Sequence, residues 1–191
     1  MRPLGRNFYE RNTQVVALEL IGKNLTLEEN GSILSGRIVE TEAYLGAQDP
    51  ASHAYHGPTP RNQVMFGPAG VSYVYFTYGN HHCLNVVTEA KDIPGAVLIR
   101  AVEPLSGMEM MKKRRGNVAF EQLTNGPGKL TQAFGITREH SGIDLAHSSF
   151  YITDGKTEKP VHIRAAKRIG ISRAKNRPLR FYEMGNPFVS V

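Results

Sequence analysis

The chain has 191 residues, 40% of them hydrophobic, which suffices for the core of one domain and is short for two. Charged residues interrupt the apolar residues near the start, and no later segment approaches the roughly twenty apolar residues of a membrane span. We therefore expect no signal peptide, no membrane partner and a cytoplasmic location. The single cysteine, Cys83, excludes an intramolecular disulfide and a multi-cysteine zinc site.

The net charge of +6 is unevenly distributed along the chain. Residues 1–100 hold 8 Lys and Arg against 9 Asp and Glu, whereas residues 101–191 hold 15 against 8. Seven basic residues and no acidic residue lie between Arg164 and Arg180. A polyanion such as nucleic acid is the partner that this pattern indicates, and a solvated basic surface without a partner is the alternative.

The first predicted helix has Thr13 as its N-cap and ends at Gly22. A β-hairpin follows, because two strand-like segments flank Asn30-Gly31, the dipeptide that best suits a type I′ turn. The next segment, residues 48–70, is rich in Pro, Gly and His. A loop this long in a compact domain is usually functional or disordered, and its aromatic content argues against disorder.

Three further strands are predicted in the segments VSYVYFTY, CLNVVTE and AVLIRAV, with turns at Gly79-Asn80 and Pro94-Gly95. They form a meander of antiparallel strands. The rings of Tyr73 and Tyr75 share a face of their strand, because alternate side chains of a strand point the same way.

Two helices are predicted after the meander. Ser106 and Glu109 have the spacing of a capping box at the start of a helix that ends near Arg115. Pro127 begins another helix, which ends at Gly135. Short strands and turns follow. The whole pattern predicts an α+β fold, a single compact domain over residues 1–191 with a curved, mainly antiparallel β-sheet and several peripheral helices.

Two glutamates lie inside a segment that otherwise reads as a buried strand, GRIVETEAYLG. Alternation predicts Ile38, Glu40 and Glu42 on one face. Burial among apolar neighbours disfavours a charged carboxylate, which suits a glutamate to general base catalysis. Glu42, at the strand end beside the loop, has the easier access to a substrate. The alternative is a structural ion pair with one of three arginines, Arg37, Arg61 or Arg100.

A set of flat rings is predicted around one end of the sheet. Tyr78 lies at a turn next to a glycine, where there is little core to fill. Such rings suit stacking on a planar base, although tyrosines in strands are often only packing. The other members of the set are Tyr44, His53, His56, Tyr73 and Tyr75.

The remaining polar motifs do not match a metal or nucleotide-triphosphate site. The histidines and Cys83 have neither HExxH nor paired-cysteine spacing, so we expect no metal and no cofactor. The segment NGPGKL lacks the glycine spacing and the Ser or Thr of a P-loop. A helix start with Gly126, Gly128 and Lys129 can still bind one backbone phosphate.

Eight motifs, in this order along the chain, resemble the alkyladenine (3-methyladenine, methylpurine) DNA glycosylase family of base-excision repair. They are GRIVETEAYLG, SHAYHGPTPRNQVMF, GVSYVYFTYG, CLNVV, VLIRAVEP, NGPGKLTQAFGI, PLRFY and GNPFVSV. The resemblance covers the chain from about Asn12 to Val191, and motifs of this length in this order are specific.

The resemblance implies a role for each matched site residue. Glu42 matches the family's catalytic base, which activates water, and Arg100 matches the arginine near that carboxylate and the nucleotide's phosphate. Glu40 then has a supporting role. The rings of three residues match those that sandwich the extruded base, namely Tyr44, His53 and Tyr75.

Further matched residues concern selectivity and the DNA duplex. Asn85 matches the asparagine whose bulk disfavours the 2-amino group of guanine, and the backbone of Ala51 and His53 lines the edge of the base. Tyr78 matches the residue that fills the gap left by the flipped nucleotide. The chain departs from the family at Asn80, where relatives commonly carry an apolar residue, and this bears on how strongly the turn acts as a wedge that holds the duplex open. Two residues match a phosphate-binding helix start, Gly128 and Lys129.

The resemblance therefore implies a monofunctional DNA glycosylase that acts on double-stranded DNA, and we expect the protein to be a monomer. It would flip 3-methyladenine, 7-methylguanine or hypoxanthine out of the duplex and hydrolyse the N-glycosidic bond, leaving an abasic site. Two alternatives remain from the residues alone. One is a metal-dependent nuclease or hydrolase built on the histidines, and the other is a non-catalytic nucleic-acid binding protein.

Overall fold

The computed structural model describes residues 2–155 and 161–190. The last residue of the predicted motif GNPFVSV, Val191, lies outside the described residues. Within the described ranges the strands are β1 Asn24–Glu29, β2 Ser32–Tyr44, β3 Ser72–Thr77, β4 His81–Thr88, β5 Gly95–Ser106, β6 Phe150–Thr153, β7 Ile163–Ala166 and β8 Arg180–Glu183. The helices are α1 Arg6–Tyr9, α2 Thr13–Glu19, α3 Met108–Arg115 and α4 Pro127–Phe134. Short 3₁₀ turns cover Gly46–Gln48, Gln63–Phe66, Phe120–Gln122 and Arg138–His140.

The strands form one sheet in which every described pair is antiparallel. Its main path runs β3-β4-β5-β2-β1-β6, and β8 pairs with β2 and with β7. One edge of β2 pairs with β1 over its first half and with β8 over Glu40–Glu42, while β5 pairs along the other edge. The two predicted glutamates therefore lie in the middle of the sheet, with hydrogen-bonded strands on both sides.

One main core joins the sheet to the helices. It includes Leu20 at the end of α2, Phe134 of α4, and Ile38, Ile99 and Phe150 from three strands, all with at most 1% of their surface exposed. This shared core confirms the predicted single α+β domain with peripheral helices. None of the helices in the described ranges has the length and apolar character that crossing a bilayer requires.

Several predicted turns and helix ends hold, and others are shifted. The hairpin turn lies at Asn30-Gly31, whose φ angles of 51° and 73° are those that a type I′ turn requires. Helix α4 begins at Pro127 and its C-cap is Gly135, as predicted. The turn between β3 and β4 is one residue earlier than predicted, because the positive φ angles fall on Tyr78 and Gly79 rather than on Asn80.

Three other boundaries differ from the sequence prediction. Asn12, not Thr13, is the N-cap of α2, since its side chain accepts hydrogen bonds from two free backbone N–H groups. Ser106 does not cap α3, because it is the last residue of β5 and Gly107 occupies the N-cap in a left-handed conformation. Gly95 already belongs to β5, so the turn before it lies earlier than Pro94-Gly95.

A glycine at the end of the glutamate-bearing strand allows a close backbone contact. Gly46 has φ 62°, and a Cβ there would overlap the carbonyl oxygen of Pro94. Gly31 has a similar φ of 73° with open space around it. The backbone conformation favours glycine at both positions, but only at Gly46 is there also no room for a Cβ atom.

We therefore predict that Gly46→Ala lowers the free energy of unfolding by at least about 2 kcal/mol more than Gly31→Ala, because overlap adds to a left-handed strain of about 1–2 kcal/mol that both variants share. Urea unfolding followed by circular dichroism measures both. An equal decrease in the free energy of unfolding in the two variants would show that the segment around Gly46 moves to admit the methyl group without loss of stability.

Candidate active site

Two of the three register shifts between β2 and β5 are bulges next to the glutamates. Ile38 pairs with Val102 and Glu40 pairs with Ala101, so Val39 is an extra residue in β2. The next residue of β2, Thr41, pairs with Ile99, so Arg100 is an extra residue in β5. Bulges re-aim side chains, and this pair of bulges brings an arginine of β5 to the carboxylates of β2.

The first bulge corrects a sequence prediction. Ile38 belongs to the main core together with Ala43, whereas Val39 packs in a separate small cluster with Ala101 and Phe188. Ile38 is therefore not on the face of Glu40 and Glu42. Simple alternation fails here because the extra residue shifts the phase of the strand by one.

Arg100 binds both glutamates. Its Nε donates to Glu40 Oε1 at 2.9 Å, and its Nη1 lies 3.2 Å from Glu42 Oε1. Burial alone would lower the pKa of Arg100, but Glu42 and Glu40 hold that pKa above its usual value. Of the three arginines that the sequence offers, Arg100 is the partner of these glutamates, while Arg37 pairs with other carboxylates.

Glu40 is bound on all sides. Besides Arg100, it accepts hydrogen bonds from Arg180 Nε at 2.6 Å and from the backbone N–H and hydroxyl of Ser190 at 2.7 and 2.8 Å. Ser190 Oγ in turn accepts a hydrogen bond from Arg100 Nη2 at 3.0 Å. The side chain of Glu40 is fully buried. Both oxygens of Glu40 are occupied by these donors, so Glu40 is suited to holding Arg100 in place rather than to meeting a substrate.

Glu42 is also fully buried, with a different set of partners. Its Oε2 accepts a hydrogen bond from the hydroxyl of Tyr44 at 2.8 Å, and its Oε1 accepts one from the backbone N–H of Ile169 at 2.7 Å. Burial, and then the nearby Glu42, raise the pKa of Tyr44, so its hydroxyl remains a donor.

A cavity of about 550 Å³ lies beside this cluster. Tyr44, Ile169 and Arg100, the three partners of Glu42, all line it, so Glu42 lies directly behind the cavity wall. Nine of the predicted site and ring residues line the cavity: Tyr44, Ala51, His53, His56, Tyr73, Tyr75, Tyr78, Asn85 and Arg100. A space of this size with aromatic walls and a few polar groups is typical of a small-ligand pocket.

His53 and Tyr75 are in mutual contact in the cavity wall. Their ring centroids are 4.5 Å apart with an interplanar angle of 66°, so no base fits between them. His53 Nδ1 lies 2.9 Å from the hydroxyl of Tyr73, and burial together with the charge of Arg61 lowers the pKa of His53. This shift favours the neutral form of the imidazole.

The backbone groups expected at the edge of the base have partners within the chain. The N–H of Ala51 donates to Asp49 Oδ1 at 3.2 Å, and the carbonyl of His53 accepts from Asn62 Nδ2 at 2.8 Å. Asn85 is buried and its Nδ2 donates to the carbonyl of Tyr73 at 3.1 Å. These bonds fix the loop and the asparagine in place on the cavity wall.

The residues predicted to contact the duplex lie at the mouth or outside the cavity. Tyr78 has 80% of its surface exposed and lines the mouth. Asn80 is exposed beside it and does not line the cavity. Gly128 packs against the ring of His81, and exposed Lys129 donates to Asn125 Oδ1 at 2.8 Å. Neither residue of this helix start lines the cavity.

Sequence reasoning missed several residues of the site, and three of them lie together behind or beside the Tyr44 ring. Arg168 lies in the run of basic residues assigned to a charged surface, yet it is buried and forms a two-point ion pair with buried Asp49. Ile169, the next residue, supplies the N–H that binds Glu42. Nothing in the sequence separates Arg168 from the other basic residues between Arg164 and Arg180.

Within the described residues, no three His, Cys, Asp or Glu side chains come together as a metal-binding group. The carboxylates of the site are instead paired with arginines. Cys83 is buried in the cavity wall, where burial raises the pKa of its thiol.

Comparisons with known proteins agree with the motifs. A family model described as "Methylpurine-DNA glycosylase (MPG)" matches residues 7–187. A protein of Carboxydothermus hydrogenoformans is 48% identical over 188 residues, 98% of each chain, and one of Clostridium acetobutylicum is 48% identical over 198 residues, 97% of this chain and 96% of its own. A protein of Chlorobaculum tepidum is 46% identical over 191 residues, all of this chain and 91% of its own. Each is named "Putative 3-methyladenine DNA glycosylase".

Both comparisons indicate one class of enzyme, the DNA glycosylases. The chain belongs to the methylpurine-DNA glycosylase family, as its eight motifs predict. DNA is accordingly its substrate.

The pKa of His53 can be tested directly. We predict that its imidazole titrates below the usual 6.5, because burial and the positive charge of Arg61 disfavour the protonated ring. In Arg61→Gln the pKa of His53 should rise without reaching that value, since burial is the larger cause. Titration by ¹H–¹³C NMR measures both proteins, and a wild-type pKa at or above 6.5 would contradict the buried, neutral ring.

Proposed function

We propose that this enzyme flips damaged purines out of duplex DNA into the cavity and hydrolyses their N-glycosidic bond with water. The substrates are 3-methyladenine, the base in the names of its relatives, and also 7-methylguanine and hypoxanthine. The observation that carries this proposal is the position of Glu42, buried directly behind a cavity wall of rings and bound to Arg100.

Glu42 is the general base in this proposal. Each carboxylate oxygen has two lone pairs, and Oε2 accepts one hydrogen bond, from Tyr44, so it retains the capacity to bind a water molecule. The water transfers a proton to Glu42 as its oxygen attacks the anomeric carbon of the sugar, and the base leaves with the electrons of the broken bond. Arg100 balances the charge of the carboxylate and, through Glu40, is itself fixed in orientation.

The charge state of the cavity suits alkylated purines. 3-Methyladenine and 7-methylguanine are cationic in DNA, and a cation is attracted to the electron-rich faces of Tyr44 and Tyr75. A protonated histidine would repel such a base, and the lowered pKa of His53 keeps that ring neutral. Stacking contributes about 1–3 kcal/mol per base and offsets the few kcal/mol that flipping costs.

The reaction is monofunctional in this proposal. A Schiff-base mechanism needs an amine at the sugar, most often that of a lysine, and none of the described residues lining the cavity is a lysine. The product is an intact abasic site. Asn85, held against the cavity wall by its bond to Tyr73, disfavours the 2-amino group of guanine, and the attraction of a cationic base to the rings offsets this penalty for 7-methylguanine but not for undamaged guanine.

The exposed residues near the mouth hold the DNA. Tyr78 enters the duplex in place of the flipped nucleotide, with Asn80 beside it, and Gly128 with Lys129 binds a backbone phosphate further along. Tyr78 is suited to this role because its ring projects from a tight turn into solvent.

We predict that Glu42→Gln, which keeps the size of the side chain, slows base release at least about 100-fold, the usual scale for general base catalysis. Binding to DNA that contains an abasic site should be retained, because the variant loses a proton acceptor rather than the cavity. Single-turnover release of free purine from alkylated duplex, measured in EDTA, is the assay.

Glu103→Gln is the matched control, since Glu103 is also a strand carboxylate bound to an arginine, but that arginine, Arg37, does not line the cavity as Arg100 does. It should release base at the wild-type rate. An inactive Glu40→Gln together with an active Glu42→Gln would assign the general base to Glu40. Loss of wild-type activity in EDTA would favour a metal-dependent mechanism.

We also predict that Tyr78→Ala shortens the lifetime of the flipped state, most of all for well-paired lesions, where unstacking costs most. Asn80→Met should lengthen it, because a polar amide among stacked bases must lose water while an apolar side chain packs there without that penalty. Stopped-flow fluorescence of a reporter base next to hypoxanthine measures the lifetime. An unchanged lifetime in Tyr78→Ala would show that the turn is not the wedge.

A further inference from the structure

A buried cation lies behind one of the rings of the cavity. The guanidinium carbon of Arg168 is 4.6 Å from the ring centroid of Tyr44, and the side chain of Arg168 has no exposed surface. Tyr44 lines the cavity and Arg168 does not. The ring therefore separates a permanent positive charge from the space in which the base would stack.

That positive charge has one carboxylate partner among the described residues. Both terminal nitrogens of Arg168 donate to the two oxygens of Asp49, whose side chain is also fully buried, and Nη1 donates to the carbonyl of Ala43 at 2.9 Å. Arg168 holds the pKa of Asp49 below its usual value, although burial opposes this, so the pair is ionic.

The position of the pair matters for the charge of the ligand. A base stacked on the cavity side of Tyr44 lies about 3.5 Å beyond the ring, which places it about 8 Å from the guanidinium. At that distance in a protein interior an unbalanced cation interacts appreciably with a charged ligand, whereas a close ion pair has little net field. Asp49 thus decides whether the wall behind Tyr44 is neutral or positive.

We propose that Asp49 is a specificity-determining residue, which neutralises Arg168 behind the Tyr44 ring so that the cavity accepts cationic purines. Arg168 is needed in turn as a positioning residue, because it packs on the ring of Tyr44 and because the next residue, Ile169, binds Glu42. The inference rests on the proposed function, since it concerns the base that the cavity takes up.

The test compares a cationic and a neutral purine in the same duplex, 7-methylguanine and hypoxanthine, each on a 2′-fluoro sugar that resists hydrolysis. Dissociation constants are measured for the wild type, for Asp49→Asn, which leaves Arg168 charged, and for Asp49→Asn/Arg168→Gln, which removes both charges. Asp49→Ser repeats the same change of charge with a smaller side chain. Thermal unfolding shows which variants are folded.

We expect Asp49→Asn and Asp49→Ser to weaken binding of 7-methylguanine relative to hypoxanthine by about tenfold, as an uncompensated charge at this distance requires. The double variant should return the ratio of the two dissociation constants to the wild-type value, even if both constants rise. A merely structural role would weaken both ligands equally and leave the ratio unchanged.

A ratio that is unchanged in the folded single variants, or that stays shifted in the double variant, would overturn the proposal. The readout is independent of catalysis. If the wild-type enzyme bound both purines but released neither from ordinary deoxyribose, the proposed hydrolysis would fail while the role of Asp49 would still be decided by the ratio.

Discussion

The site depends on two carboxylates and two guanidinium groups that are removed from water together. Glu40 and Glu42 are fully buried, and Arg100 and Arg180 neutralise them in a network where Arg100 binds both glutamates. A single buried carboxylate left without a partner would cost about 3–5 kcal/mol, so these groups must be satisfied as a set. The set is possible because β5 carries a bulge at Arg100 and because β8 and Ser190 close over Glu40.

This arrangement gives the two glutamates different roles. Glu40 uses its oxygens on Arg100, Arg180 and Ser190, which fixes the arginine. Glu42 is held by fewer protein donors, and all of its partners line the cavity. The proposed base must bind and orient one water molecule. This requires a carboxylate next to the cavity and an arginine that a second carboxylate holds in place.

Much of the fold followed from local signals in the sequence. Asn30-Gly31 and Pro127 with Gly135 predicted a hairpin and a helix correctly, because each residue meets a backbone requirement of its own position. Capping was less predictable. Asn12 and Thr13 are both good N-caps, and in the structure Asn12 caps the helix while the hydroxyl of Thr13 donates to Glu89, far along the chain.

The site itself was predictable only in part. Family motifs pointed to Glu42, Arg100 and the rings, and these residues do meet around one cavity. The bulges that turn Arg100 toward the glutamates depend on the register of two strands far apart in sequence, which periodicity within one strand does not contain. Arg168 was missed for a similar reason, since its burial against Asp49 depends on a contact across 119 residues.

In the proposed mechanism water, and not an amine of the protein, attacks the sugar. Base release under single-turnover conditions, with borohydride added in a parallel reaction, separates these two nucleophiles. Attack by water predicts full release of the base, an intact abasic strand and no protein–DNA adduct. A borohydride-trapped adduct, or strand cleavage accompanying release, would contradict it.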